Sequence, residues 1–204
     1  MVKPSTERTE KETTERYDLR LKEILHTSAR VFAEKGFHNA SVRDISRETG
    51  VSLAGLYYYF QTKEELLFLI LEDAFDSVLE SLETSIQDYQ GPDKVRFFVA
   101  NHLRYFVENL AEMKVVSHEF DSLASPYREK IQEKKRAYVK RLTQILSDLP
   151  NKRRKPVTDP KLAALALFGM INWVYTWYNP KKRTPIKEVV EAMSEIFLHG
   201  YLRS

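Results

Sequence analysis

The chain has 204 residues, enough for one large domain or two small ones with a buried core, and its 43% hydrophobic and 30% charged content fits neither a disordered tail nor a membrane protein. The absence of cysteine excludes disulfide frameworks, thiolate nucleophiles and cysteine zinc sites. A net charge of +3, from 32 basic against 29 acidic residues, is too small for nucleic-acid binding by bulk electrostatics, so any such binding must use locally placed positive charge.

Residues 1–18 hold almost no apolar side chains and no secretory h-region; a flexible arm and a cytoplasmic location are expected. Arg16, Arg20 and Lys22 either touch a duplex or belong to a solvated tail. Leu21, Ile24, Leu25, Ser28, Val31 and Phe32 form the stripe of a first helix that stops at Gly36. Ser41 is placed to cap a second, with Val42, Ile45 and Thr49 facing inward, and Gly50 to break it. Ser52 caps a third running to Phe60, and Thr62 a fourth, with Glu65 completing a capping box.

The fourth helix extends to about Ile86, and Gly91-Pro92 opens a fifth with the stripe Val95, Phe98, Val99, His102, Tyr105 and Phe106. A shorter piece at 112–123 follows, then a long amphipathic helix from Ser125-Pro126 to about Leu149. PNKRRKPVTDP reads as a basic loop, and Asp159-Pro160 starts a helix apolar on nearly every side up to Asn179-Pro180. After NPKKRTP, a last amphipathic helix covers about 186–202. The chain is expected to be all-α, with about nine helices and no internal repeat.

The stretch Ser41–Leu66 has the shape of a helix-turn-helix: two short helices around Glu48-Thr49-Gly50-Val51, glycine where a tight turn needs positive φ, and small Ser46 at the crossing. At about 100° per residue, Leu56 and Phe60, with Leu53 close by, face inward, while Ala54, Gly55, Tyr58 and Tyr59 face outward and Tyr57 lies between. Three consecutive tyrosines wrap most of the circumference, so a short helix cannot bury them all. The bare first turn lets backbone approach base edges, and the phenols suit phosphates or bases.

With G-V-S-L-A-G-L-Y-Y-Y-F-Q-T-K-E-E-L following a helix that ends A-E-K-G-F, residues Leu21–Leu67 resemble the DNA-binding domain of the TetR family of bacterial transcriptional regulators. The resemblance implies a homodimer that binds double-stranded operator DNA through its first three helices and a small-molecule inducer through the rest. Family DNA contacts would fall on Ser41, Arg43, Ser52, Ala54, Gly55, Tyr57, Tyr58, Tyr59 and Lys63, whereas Leu53 stands where many members carry lysine. The expected division is an arm at 1–18, a helix-turn-helix domain at 19–64 and a ligand-binding and dimerisation domain at 65–204. The dimer would form through the last two helices, with Gly169 permitting close approach and Asn172 setting register or sitting in the core.

Phe98, His102, Tyr105, Phe106, Phe120, Tyr138, Trp173 and Trp177 either line an apolar pocket or pack as core. The segment I-N-W-V-Y-T-W-Y-N-P resembles a branch of the family that controls lipid catabolism and senses acyl-CoA thioesters. That resemblance implies a long-chain acyl-CoA inducer. Lys152, Arg153, Arg154 and Lys155, with Lys181, Lys182 and Arg183, would hold its phosphates, unless these loops are simply solvated. No cofactor, metal or membrane partner is expected: His118-Glu119 is not H-E-x-x-H, and no phosphate loop or nucleophile elbow supports an enzyme. The competing reading is an inducer-independent protein of the same fold acting on nucleoid organisation, with a plugged pocket.

Overall fold

A computed structural model describes residues 4–149, 158–182 and 184–201. Among them are nine α-helices, three short 3-10 segments and no strand. α1 spans Pro4–Lys35, α2 Val42–Thr49, α3 Leu53–Leu56, α4 Lys63–Ser85 and α5 Pro92–Glu108. α6 spans Leu110–His118, α7 Tyr127–Ser147, α8 Pro160–Asn172 and α9 Ile186–Tyr201.

Local chemistry sets most boundaries. The Ser41 hydroxyl accepts from Asp44 N–H while Asp44 accepts from Ser41 N–H, a complete capping box. Thr62 accepts from Glu65 N–H, but the Glu65 carboxylate reaches one residue further back, to Gln61 N–H. Pro92 opens α5 at its first turn, and Asp159 caps Lys161 and Leu162 N–H ahead of Pro160 in α8.

Three elements depart from the sequence expectation. The arm predicted at 1–18 is helical from Pro4, because its Glu, Lys and Arg residues are good helix formers and need no apolar stripe to extend a helix already nucleated at Leu21. α3 is a single turn, after which Tyr57–Tyr59 continue as a tightened turn ending with Phe60 N–H on Leu56 C=O, rather than a helix to Phe60. α8 gives way at Trp173 to a 3-10 turn ending at Thr176, well short of Asn179, where aromatic and β-branched residues disfavour the α conformation.

The buried side chains divide into two clusters. One joins α4, α5, α7, α8 and α9 around Phe98, Phe106, Leu142, Leu167 and Ile171. The other joins α1–α4 around Phe32, Ile45, Leu56 and Phe60, and also takes in Val115 of α6, Leu123, and Ile131 of α7. The N-terminal core therefore reaches beyond residue 64, and the later helices help to close it.

Candidate DNA-binding face and ligand cavity

The helix-turn-helix is locked by short polar contacts. Ser46 Oγ donates to Val51 C=O at 2.6 Å, and Thr49 Oγ1 donates to Ile45 C=O at 2.8 Å while accepting from Val51 N–H at 3.3 Å. Gly50 closes α2 at φ 67°, with open space where a Cβ would stand, so its requirement is conformational. Gly55 has the opposite reason. A Cβ there would meet Val51 Cγ1 at 2.9 Å and Ser52 Oγ at 3.2 Å, so its bareness serves packing between turn and helix and not the outward exposure expected from the sequence.

Arg43, Ser52, Ala54 and Tyr57 are exposed, and Tyr58 is 72% exposed, together forming one outward face. Ser41 and Ser52 are also helix caps, so their hydroxyls already accept from Asp44 and Gly55 N–H. Leu56 and Phe60 are buried as expected, but Leu53 lies 37% exposed beside this face. Lys35, Ser41 and Arg47 converge on the Asp44 carboxylate, and the Lys35 ammonium with the Ser41 hydroxyl and amide holds it below the usual carboxylate range.

Tyr59 is half-buried because its ring stacks on Tyr17 of α1, with centroids 5.0 Å apart. Tyr17 also meets Tyr58 edge-on at 5.7 Å. Sequence reasoning missed Tyr17, although it is the one aromatic among the first 31 residues.

Lys63 departs from its expected role. Its ammonium donates to Phe37, His38 and Ala40 C=O at 2.7, 3.3 and 2.8 Å and sits 4.5 Å from the Phe37 ring centroid. All three donors go to the α1–α2 loop, so the side chain fixes that loop instead of standing free for a phosphate.

A cavity of about 470 Å³ opens among α4–α8. Ala74, Phe75 and Val78 supply the α4 wall, Met113, Val116 and Ser117 the α6 wall, and Phe168, Gly169 and Asn172 the α8 wall. Of the sequence-predicted ligand residues, His102, Tyr105, Tyr138 and Trp173 line it. Phe98 and Phe106 do not: they are buried in the core, Phe98 stacking behind Tyr138 at 5.1 Å. Phe120 lines an adjoining groove, and Trp177 projects outward beside Tyr178. Lys181 and Lys182 are exposed in a turn and line neither, while Lys152, Arg153, Arg154, Lys155 and Arg183 lie outside the described residues. Gly169 meets nothing within 4 Å of a Cβ position in this chain, and Asn172 is exposed at the cavity rim instead of buried in the core. Phe75, Met113, Val116 and Phe168 went unforeseen because their apolar character alone does not separate a cavity wall from packed core.

Burial pushes the His102 imidazole down to about 4, with Asn172 acting weakly in the other direction. Its Nδ1 lies 3.3 Å from the Tyr138 hydroxyl, and its Nε2 is buried with no hydrogen-bond partner among the described residues. Tyr105 is raised by burial and by the negative Asp73 and Glu112 behind it. Glu112 is buried and bonds His26 of α1 at 2.6 Å. Further along, Lys114 donates to Ala33 C=O, Glu119 accepts from Phe37 N–H, and Glu64 accepts from Ala124 N–H. Thus α6, one wall of the cavity, is bonded directly to α1, and Glu119 just beyond its end to the α1–α2 loop.

Among the described residues no group of three or more histidines or carboxylates is arranged to hold a metal, and no helix is long and apolar enough to cross a membrane.

Two family models match: "Bacterial regulatory proteins, tetR family" over residues 24–70 and "Tetracyclin repressor-like, C-terminal domain" over residues 89–201. The "Fatty acid metabolism regulator protein" of Bacillus subtilis (strain 168) is 24% identical over 181 residues, covering 87% of this chain and 93% of that protein. A crystal structure of AibR in complex with isovaleryl coenzyme A and operator DNA superposes with a TM-score of 0.78 at 27% identity, covering 87% of this chain and 97% of AibR. PfmR from Thermus thermophilus gives a TM-score of 0.77 at 29% identity, covering 88% of this chain and 99% of PfmR. Both halves of the chain match, as do the tyrosine-bearing helix-turn-helix and the helical body behind it; the chain belongs to the TetR family of transcriptional regulators, which act by binding DNA and not as enzymes.

Proposed function

We propose that the chain is a repressor that binds palindromic operator DNA as a homodimer and is released by an acyl ligand of the acyl-CoA type. The cavity carries this reading. One wall is α4, which begins beside the recognition segment, and another is α6, which is bonded to α1. Val78 lies fifteen residues into α4 from Lys63, about 22 Å along its axis, so a ligand that shifts the wall swings the far end. Two recognition segments must enter major grooves about 34–36 Å apart, and a ligand favouring a wider spacing removes one half-site. AibR, solved with both isovaleryl coenzyme A and operator DNA, supports the pairing of these two ligand classes on this fold. The open cavity argues against the inducer-independent nucleoid reading, which expects it plugged.

The dimer is assigned to α8 and α9. Leu162 on α8 and Ile196 on α9 are exposed apolar side chains that line neither the cavity nor its adjoining groove, and exposed apolar surface of this kind marks an interface. Ile196→Lys together with Leu162→Lys is expected to give a monomer in sedimentation velocity; an intact dimer rejects the assignment.

Fluorescence anisotropy on the protein's own promoter region, with and without decanoyl- and palmitoyl-CoA, tests the function. Saturable binding that falls with acyl-CoA supports it, and binding indifferent to both rejects the inducer. Tyr58→Ala is expected to weaken operator binding roughly ten-fold while leaving the dimer intact, the loss of about one directional contact per subunit. Wild-type affinity would remove Tyr58 from the DNA face.

A further inference from the structure

The cavity does not end at its own rim. It adjoins a groove of about 610 Å³ along α7 and the first turns of α8, and the two share Lys135, Val139 and Leu165. Four cations line this groove: Lys135, Arg136 and Lys140 on α7, and Lys161 on α8. Among the described residues no carboxylate lines it.

The opposite side of α7 behaves differently. Lys134 reaches Asp76 at 2.5 Å and Glu72 at 3.6 Å, and Arg141 pairs with Glu83, so cations facing α4 are neutralised by α4 acids. The four groove cations make no ion pair among the described residues. Asp159, the acid nearest Lys161 in sequence, is engaged in capping the α8 amides. Four uncompensated charges exceed the net charge of the whole chain, +3. Arg136 and Lys140 stand at i,i+4, where like charges repel and a helix selected for stability alone would place an acid. Lys135, which lines both spaces, stands at the junction with its ammonium 4.2 Å from the Phe120 ring centroid.

We infer that this groove binds the phosphate-bearing head of an acylated ligand whose chain occupies the cavity. The inference rests on the acyl-ligand reading and moves the anion site from the two basic loops onto α7 and α8. Cations on two helices suit more than one phosphate charge, with Gln132 and Thr143 available as neutral donors. The phosphates of coenzyme A meet this requirement best; the single phosphate of a lysophospholipid shares the chemistry with less charge.

Calorimetric titration of the full chain with decanoyl-CoA, coenzyme A alone, decanoate and decanoyl lysophosphatidic acid tests it. A triple variant, Arg136→Gln with Lys140→Gln and Lys161→Gln, and the single Lys161→Glu are titrated in parallel, and only variants that melt with the wild type are scored. The wild type is expected to bind decanoyl-CoA at least ten-fold more tightly than decanoate. The triple variant should lose ten-fold or more toward decanoyl-CoA, change less than two-fold toward decanoate, and show a shallower salt dependence. A preference for decanoyl-CoA over the lysophosphatidic acid supports coenzyme A as the source, and the reverse overturns that assignment. Wild-type affinity of both variants for every phosphate-bearing ligand overturns the groove while leaving the acyl cavity standing. A wild type that ignores every acyl ligand, decanoate included, overturns both.

Discussion

Lys63→Met is expected to lower the melting temperature by roughly 5–10 °C and to weaken operator binding without changing its salt dependence. The substitution keeps the aliphatic stem near Phe37 but removes the ammonium that donates to Phe37, His38 and Ala40 C=O. Hydrogen bonds from a charged donor contribute about 1.5–3 kcal/mol apiece at most, and three sharing one ammonium are not additive, so the expected loss is about 2–3 kcal/mol. For a chain of this length each kcal/mol moves the midpoint by about 2–4 °C. Operator affinity falls because the loop that is released leads directly into Ser41 and Arg43 at the start of α2. Thermal melting and a salt series of anisotropy titrations distinguish this from a phosphate contact. A phosphate contact would leave the midpoint unchanged and lower the slope of log K against log salt by about 0.9 per subunit. That second pattern would return Lys63 to the role its sequence position suggested.

The second large effect is on pH. His102 is held neutral by burial, with its folded value near 4 against 6.5 in an unfolded chain. Between these values the unfolded state takes up a proton and the folded state does not, so stability is present in full above about pH 6.5 and drains away as pH falls toward 4. The span corresponds to about 3 kcal/mol. Asp73 acts in the opposite direction, since burial raises its carboxyl and favours the protonated form. The contribution of His102 is therefore read as the difference between wild type and His102→Gln in urea unfolding at pH 7 and pH 4.5. The variant should be markedly less sensitive to acid. Parallel pH profiles for the two proteins would show that the imidazole is solvated in solution.

Legibility followed the range of the interaction. Ser41, Thr62, Pro92 and Asp159 were identified as boundaries because a cap or an opening proline acts within four residues, a distance visible in the sequence itself. The tyrosine face was legible for the related reason that three adjacent rings cannot all turn inward. The carbonyl contacts of Lys63 are not legible because its partners lie 23 to 26 residues back, and a lysine looks the same whether it reaches a phosphate or a carbonyl. The stack of Tyr17 on Tyr59 joins α1 to the turn after α3, and spacing along either one does not encode it. At the cavity, the two alternatives open to the aromatic residues divide between them: His102, Tyr105, Tyr138 and Trp173 line the space, Phe98 and Phe106 pack in the core, and Trp177 lies exposed. Helical periodicity reports that a residue faces inward, and says nothing of whether inward space is filled.

Val115, Leu123 and Ile131 sit in the same cluster as Phe32 and Leu56. The helix-turn-helix head thus has no floor of its own: its lowest layer is furnished by the body that encloses the cavity. A displacement beneath it must be accommodated at once by side chains packed to crystalline density, which yield by switching arrangement and not by compressing. Communication between the two ends then needs no chain of specialised relay residues, because both ends rest on shared masonry.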